Sequence, residues 1–204
     1  MGIHTGMSMG QMEVTRIVEP HNVPLLVGRI KEGDREAFVE ITRLYQKKVY
    51  LLAYSYLRNN EDALDVVQET FLRLYQKVDM YRSEKNFQTW LLQIAKNLCI
   101  DYYRKNCSRN KDYRSDKDVE EVKVPAQNDK NSQSFSDIKR VFAECLDRLT
   151  EKQRMIFVMK HYNNLEYKEI AQILRISVGT VKSLNFKATQ NLRALMTPYM
   201  GEKT

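Results

Sequence analysis

The residues best suited to chemistry lie on one face of a helix near the carboxyl end of the chain. From Val181 onward, at about 100° per residue, apolar residues group on one side of this helix. The other side carries basic, amide and hydroxyl groups and one aromatic ring: Lys182, Ser183, Phe186, Lys187, Gln190 and Arg193. Lysine and serine bond to base edges or phosphates in the major groove of DNA, and phenylalanine can contact a thymine methyl group. The alternative is a solvated face of a helical bundle, but it leaves an outward-facing Phe186 unexplained.

A second candidate is the polar loop between Val78 and Gln88. This loop interleaves aromatic and basic residues, namely Tyr81, Arg82, Lys85 and Phe87. Rings stack on unpaired bases and cations attract phosphates, so the pattern favours single-stranded nucleic acid. A plain connecting loop is the alternative, and we keep that interpretation for Phe87, which we expect in the core.

A third candidate is an acidic and amide patch on the helix predicted from Glu61 to Lys77. Its outward face carries Asp65, Gln68, Glu69 and Arg73. In a basic protein this patch could dock a protein partner. Acids near the start of a helix also complement its dipole, and the residues alone favour that simpler interpretation.

Composition limits the possible function classes. Lys and Arg number 33 against 26 Asp and Glu, and the net charge of +7 favours a polyanionic partner. No apolar run reaches the ~20 residues of a membrane span and no signal peptide is recognisable, so we expect a cytoplasmic protein. The three Cys lack a CxxC spacing and the three His are scattered, which disfavours a disulfide framework or a metal site. No phosphate loop or nucleophile–base pair indicates an enzyme, and no cofactor is expected.

The basic face is positioned by a predicted helix-turn-helix. The apolar spacing of Ile170, Ala171, Ile173 and Leu174 predicts a short helix that breaks at Arg175. Ser177 is then a natural N-cap for the second helix. Upstream, Thr150 and Gln153 have the spacing of a capping box at the start of another helix. With a helix that begins near Ser136, these form a four-helix unit.

The first half of the chain also reads as helices. A short helix is predicted from Pro24 to Ile30, ended by Gly33, and Asp34 caps a longer one. After the helix with the acidic patch, another is predicted from Thr89 to about Lys105 with two structured faces. One face is apolar, and the other carries Asn97, Asp101 and Arg104. No segment alternates like an amphipathic strand, so the sequence predicts an all-α protein.

These elements predict two small helical domains joined by a flexible linker. The predicted domains span residues 20–106 and 135–198, with tails at 1–19 and 199–204. Residues 107–134 lack periodicity and are rich in charged and small polar residues, which is typical of a linker. We therefore expect the free chain to be a flexible, two-lobed particle.

In this order, several segments resemble the extracytoplasmic-function (ECF) group of bacterial sigma factors, in the sigma-70 family. The resemblance covers about Leu25 to Leu195. It rests on GDREAF (Gly33–Phe38), EDALDVVQETFLRLY (Glu61–Tyr75), FQTWLLQIAKNLCIDYYRK (Phe87–Lys105), LTEKQRMIF (Leu149–Phe157) and YKEIAQILRISVGTVKS (Tyr167–Ser183). It implies a region 2 bundle, followed by a four-helix region 4 with the helix-turn-helix.

The resemblance implies a role for each candidate surface. Asp65, Gln68, Glu69 and Arg73 would bind the clamp helices of the largest subunit of core RNA polymerase, and docking then replaces the dipole interpretation. Binding to the −10 promoter element is implied for Tyr81, Arg82, Lys85, Asn97, Asp101 and Arg104. Binding to the −35 element is implied for Ser177, Thr180, Lys182, Ser183, Phe186 and Lys187. Promoter DNA, the flap of the second polymerase subunit and an anti-sigma factor are the further partners it implies, with a role in stress response.

The chain departs from the family pattern at the helix-turn-helix. The family usually has Gly where this chain has Arg175, a turn position that can require a positive φ. After Lys182 and Ser183 it favours Arg and an apolar residue, where this chain has Leu184 and Asn185. Asn185 points partly inward and needs a hydrogen-bond partner.

The alternative function is a stand-alone, LuxR-like helix-turn-helix regulator, whose usual receiver domain needs strands that the first half does not show.

Overall fold

The computed structural model describes residues 23–82, 84, 86–109 and 133–199, without the side chains of 107–109 and 133–139. Its helices are α1 (Val23–Lys31), α2 (Arg35–Leu57), α3 (Asn60–Lys77), α4 (Phe87–Arg109), α5 (Gln133–Asp147), α6 (Glu151–His161), α7 (Tyr167–Leu174) and α8 (Val178–Met196). Short 3₁₀ turns follow α3 and α8. Within the described ranges there is no strand, so the all-α prediction is confirmed.

Local sequence signals set where the helices of the first half begin and end. Gly33 has φ +88°, a left-handed conformation that lets the chain turn out of α1. The Asp34 carboxylate accepts from the amides of Glu36 and Ala37 and starts α2. Asn59 does the same for α3 by accepting from the Asp62 amide. The predicted capping residue Asp34 is therefore confirmed.

The second half begins its helices in the same way. The predicted capping box of Thr150 and Gln153 is present at α6. A second box, made by Glu166 and Glu169, starts α7. Ser177 caps α8 by accepting from the Thr180 amide at 3.0 Å, as the sequence predicts.

Helices α1 to α4 form one group and helices α5 to α8 form another, and the two groups are only partly separate. Helices α2, α3 and α4 pack on one another, while α8 packs on α5, α6 and α7. Contacts also run between the two groups, from α2 to α6 and from α4 to α7. One apolar cluster includes Val49, Leu52 and Leu91 from the first half together with Ile156 and Met159 from the second. The expectation of a flexible two-lobed particle is therefore wrong for this structure, because the two halves share buried apolar surface.

The chain between the two halves differs from the predicted linker at both ends. Helix α4 continues to Arg109 and α5 begins at Gln133, so the first three and last two residues of the predicted linker are helical. Helix α5 also starts before Ser136, which lies inside it. Residues 110–132, and the predicted tail at 1–19, lie outside the described residues.

Candidate nucleic-acid and protein interfaces

The outward face of α8 is open. Lys182, Ser183 and Lys187 are exposed, and Phe186 is 62% exposed. The same helix buries Val181, Ala188 and Leu192 against the rest of the second half. At its start, the exposed Ser177 and Thr180 hydroxyls lie 2.8 Å apart. The structure thus brings together all six residues predicted for the −35 element.

The two departures in the helix-turn-helix each have a structural consequence. Arg175 adopts φ 55° and ψ 47°, so the turn does require the left-handed conformation that glycine adopts more readily. Its amide bonds to the carbonyls of Ala171 and Gln172 and closes α7. Asn185 is buried, and its amide nitrogen donates to the Tyr167 hydroxyl at 3.3 Å. The predicted inward orientation of Asn185 is confirmed, and the bond ties α8 to α7.

The loop before α4 differs from its prediction at one aromatic residue. Tyr81 is only 8% exposed, and its ring lies 5.4 Å from that of Phe87 and 5.2 Å from that of Trp90. Tyr81 as an exposed platform for a base is therefore wrong for this structure, because three neighbouring rings bury one another. Phe87 is buried as expected, Arg82 is exposed, and Lys85 lies outside the described residues.

The polar face of α4 borders a groove. The exposed Asn97, Asp101 and Arg104 line it. Its volume is about 500 Å³, and the remaining lining residues are Arg73, Lys96, Ile100 and Arg175. Four of these seven residues are cationic and one is anionic, which favours an anionic chain over a neutral one.

A second groove, of about 680 Å³, runs between α3 and α4. Its lining includes the whole set predicted to bind polymerase, namely Asp65, Gln68, Glu69 and Arg73. Arg73 and Glu69 are paired along α3 at 2.9 Å. Because α3 begins at Asn60, Asp65 and Glu69 lie beyond its first turn, where the helix dipole acts most. The dipole therefore does not explain these two acids.

Comparison with known proteins decides the family. The family described as Sigma-70 region 2 matches residues 41–109, and that described as Sigma-70, region 4 matches residues 139–192. SigW of Bacillus subtilis, an ECF RNA polymerase sigma factor, is 31% identical over an alignment of 176 positions that covers 82% of this chain and 92% of SigW. The chain belongs to the ECF sigma factors.

Other members of the family and solved structures agree with this assignment. The ECF sigma-E factor of Haemophilus influenzae is 31% identical to this sigma factor over 86% of the chain and 95% of its own length. The Bartonella quintana sigma factor RpoE, solved with the anti-sigma factor NepR, aligns with a TM-score of 0.65 at 23% identity, over 78% of this chain and 96% of that one. CnrH, solved with the cytosolic domain of CnrY, aligns with a TM-score of 0.60 at 22% identity, over 85% of this chain and 96% of CnrH. These structures share the fold of this sigma factor.

Sequence reasoning missed the apolar part of the α3 surface of this sigma factor. Leu64, Leu72 and Tyr75 are large and exposed, and with Gln68 they follow one helical face. Exposed apolar groups beside polar ones are typical of a protein-binding surface. The spacing of four residues from Leu64 to Gln68 to Leu72 could have indicated this surface from the sequence.

A hydrogen bond between α3 and α4 orients one acid of this surface. The Tyr102 hydroxyl donates to the Asp65 carboxylate at 2.5 Å. This bond, with partial burial and nearby acids, raises the pKa of Tyr102 to about 12. Tyr102 therefore remains a donor throughout the neutral range and holds Asp65 in place.

Two further features are absent from the described residues. There, no group of three or more His, Cys, Asp or Glu could hold a metal ion. No helix in the same ranges is long and apolar enough to cross a membrane. Burial raises the pKa of the Cys99 thiol to about 12, and Cys145 is also buried and free. Both thiols are therefore buried in the core.

Proposed function

We propose that this sigma factor binds core RNA polymerase, recognises the −10 and −35 elements of promoters and directs initiation there. It contributes binding energy and strand capture rather than a chemical step of its own. The site of action is the bacterial cytoplasm, where polymerase and promoter DNA are found. The proposal combines family membership with three surfaces whose residues suit these partners.

The observation that carries the proposal is the α8 face. Phe186 is exposed among Lys182, Ser183 and Lys187, while the opposite side of α8 anchors the helix in the core. Covering the exposed phenylalanine ring with a partner removes apolar surface from water, which is favourable. A recognition helix in the major groove provides that cover, since its cations reach phosphates and base edges while the ring meets a thymine methyl.

The polar face of α4 and the loop before it suit the −10 element. Arg82, Asn97 and Arg104 offer donors to phosphates and base edges, and Asp101 offers an acceptor. Lys85 belongs to the same proposed set. Unstacking a base costs a few kcal/mol, which contacts to the extruded base and its strand must offset. Capture of the open strand would therefore favour promoter melting, with Tyr81 supporting the loop from within.

The α3 surface suits a helical protein partner. Asp65, Gln68 and Glu69 supply acceptors and donors, and Leu72 supplies apolar contact next to them. Clamp helices of the largest polymerase subunit are the partner that the family implies. The second half would meanwhile contact the flap of the second subunit.

An anti-sigma factor is a further proposed partner. RpoE of Bartonella quintana was solved with one, and the fold of this sigma factor is similar. The exposed α3 surface and the α8 face are the surfaces whose cover would block activity. Co-purification of a protein from the native host identifies the partner.

A stand-alone regulator is the second candidate, and two observations weigh against it. Residues 41–109 match region 2, and the α3 surface offers apolar groups that DNA would not need. Such a regulator would bind duplex DNA tightly and specifically without polymerase.

The test is transcription from genomic DNA fragments with core polymerase, with and without the sigma factor. We expect defined start sites to appear on addition, and Gln68→Ala with Glu69→Ala to reduce both these transcripts and binding to core enzyme. Lys152→Ala, an exposed change on α6, is the control and should leave both unchanged. Unaltered start sites with the wild-type chain would refute the proposal.

A further inference from the structure

The groove beside the polar face of α4 carries positive charge that its own lining does not neutralise. The lining contains four cations and one acid, Asp101. One of the cations, Arg73, is already paired along α3. Among the described residues, the other three cations form no ion pair, namely Lys96, Arg104 and Arg175. The groove therefore concentrates an excess of positive charge in one place.

Lys96 and Arg175 reach this groove from different elements. Lys96 is half-buried on α4, and Arg175 is the exposed residue that ends α7. Burial lowers the pKa of Lys96, and the charge of Arg175 lowers it further. Both effects make the Lys96 ammonium group less favourable here than in water. An anion between Lys96 and Arg175 would replace their repulsion by two attractions.

Helix α4 fixes the backbone that carries Arg175. The Gln93 side-chain amide, oriented as a donor, reaches the carbonyls of Gln172 and Ile173 at 3.3 and 3.2 Å. These carbonyls belong to the last turn of α7, where carbonyls lack partners within the helix. Arg175 follows this turn, and its own amide bonds to the carbonyls of Ala171 and Gln172. A cation on backbone held in this way is already positioned for a ligand, which reduces the entropy lost on binding.

Arg175 also adopts a conformation that suits another residue type. Its φ of 55° lies in the left-handed region, where glycine costs least. The family pattern has glycine at this position, so the departure of this chain from that pattern is what adds the charge to the groove. Strained backbone retained at a groove is typical of a binding site. The strain and the added charge thus belong to the same residue.

The lining also selects the chemical class of the anion. The guanidinium groups of Arg104 and Arg175 match phosphate oxygens with paired donors, and the Lys96 ammonium group adds a compact charge. The cations of the lining exceed the acid by three charges. One phosphate group carries roughly 1.5 to 2 negative charges near pH 7, so two or three linked phosphates match this excess better than one. The volume of about 500 Å³ lies in the range of small-molecule sites, roughly 300 to 1,000 Å³.

We infer that this groove is a binding site for an oligophosphate group, held between Lys96 and Arg104 of α4 and Arg175 after α7. Two sources share this chemistry, namely inorganic polyphosphate and the phosphate chain of a nucleotide. Ile100 is the apolar residue of the lining, so a base would find little surface on which to stack. The phosphate chain therefore supplies most of the binding.

An oligophosphate suits the space between Lys96 and Arg175 better than a DNA strand does. Sugars separate the phosphates of a DNA strand, whereas those of an oligophosphate are linked directly. The oligophosphate therefore places more negative charge between the two cations. The site goes beyond promoter binding, although Arg104 is common to both. On the proposed function, a bound oligophosphate would compete with the −10 strand for Arg104.

Calorimetric titration of the full chain tests the site. The probes are tripolyphosphate, ATP and orthophosphate, without added metal ions and at an ionic strength of about 0.15 M, where charges more than roughly 8 Å apart are largely screened. We expect one tripolyphosphate to bind per chain, at least about tenfold more tightly than orthophosphate, because it meets more than one cation. ATP binding as tight as that of tripolyphosphate identifies nucleotides as a source, and weaker ATP binding restricts the site to inorganic polyphosphate.

Arg175→Gly is the decisive variant, because it removes the cation and keeps the amide that closes α7. Glycine also relieves the left-handed strain, so the Tm of the free variant should be no lower than that of the wild type. Tripolyphosphate binding should weaken at least about tenfold, since a charge-assisted hydrogen bond is lost. Lys96→Gln should weaken it several-fold.

Arg58→Gly is the matched control. Arg58 is another exposed arginine in the left-handed conformation, with φ 54° at the end of α2, and it does not line the groove. The change should leave the affinity for tripolyphosphate within about twofold, because charges elsewhere on the surface are screened. Equal losses from Arg58→Gly and Arg175→Gly would show that only the overall charge attracts the ligand, and would overturn the inference.

Three further outcomes would also overturn the inference. The first is a titration with tripolyphosphate that does not saturate, and the second is equal affinity for tripolyphosphate and orthophosphate. The third concerns a short single DNA strand, whose binding Arg175→Gly should weaken much less than that of tripolyphosphate. An equal loss would assign the groove to DNA instead. None of these titrations contains polymerase or a promoter, so failure of the proposed function in the transcription experiment would leave their outcome unaffected.

Discussion

At the scale of single residues, the helix-turn-helix tolerates an arginine where glycine would fit more easily. Arg175 has φ 55°, which costs about 1 kcal/mol for a residue with a Cβ. Its amide closes α7, and Arg175 lines the groove beside the polar face of α4. Hydrogen bonds made by the Arg175 amide thus offset part of the free-energy cost of the left-handed conformation. The arginine also places a cation at this position, which glycine would not.

Phe186 is the residue whose substitution most directly probes DNA recognition. We expect Phe186→Ala to weaken binding to a −35 duplex by about 1 to 3 kcal/mol, roughly 5- to 150-fold, since a base contact is lost. Fluorescence anisotropy with a labelled duplex measures the effect. Tyr199→Ala removes another exposed ring outside α8 and should change binding less than twofold. Equal effects of the two changes would contradict a base contact by Phe186.

At the scale of elements, short-range caps determine where helices start. Asp34 accepts from two amides of α2 and from the Arg29 guanidinium, which lies 2.7 Å away. The amide of Ala37, helped by Arg29, lowers the pKa of the Asp34 carboxyl below its ordinary 3.8. This contact connects α1 to the start of α2, so its charge state affects both helices.

Asp34 therefore predicts a pH dependence of stability. Because its folded-state pKa is lowered, its stabilising contribution is complete above the ordinary value of 3.8 and is lost as pH falls through the folded-state value. Asp34→Asn keeps a capping oxygen but removes the charge. We expect Asp34→Asn to have the lower Tm near neutral pH and the two Tm values to converge as pH falls below about 3.8. A difference in Tm that does not change with pH would contradict this role.

At the scale of the whole molecule, the two halves form one packed body. Apolar residues of α2, α4, α6 and α7 belong to one cluster. Arg154, 6% exposed, sits at the boundary and bonds to carbonyls on both sides. Because unfolding either half would expose the shared surface, we expect the halves to unfold together.

Arg154 gives the corresponding prediction. Arg154→Met keeps most of the side-chain volume but leaves three carbonyls without their donor, which should cost about 1 to 3 kcal/mol. Urea unfolding of the wild type should show one transition, shifted to lower urea in the variant. Arg140→Met, which removes a pair between exposed side chains of α5, should cost less than about 0.5 kcal/mol. Two separate wild-type transitions, or equal shifts for both variants, would contradict a shared core.

Much of the candidate site could be predicted from local pattern. The exposed face of α8, the acidic and amide face of α3 and the polar stripe of α4 all follow from helical periodicity, which depends on neighbours three and four residues away. Tyr81 could not be placed this way. Its burial depends on rings from the loop and the start of α4 coming together, and an irregular segment has no period to reveal that.

The amino-acid sequence by itself determined the all-α class, the caps at Asp34, Thr150 and Ser177, and the family, since each depends on local order along the chain. Only the tertiary structure decided that the second half lies against α2 and α4, and that Arg154 bonds to Ser55 across the boundary. Those contacts join residues about a hundred positions apart. Their stabilising energy comes from complementary packing and from hydrogen bonds to buried carbonyls. Both depend on the folded arrangement and not on the local order of residues.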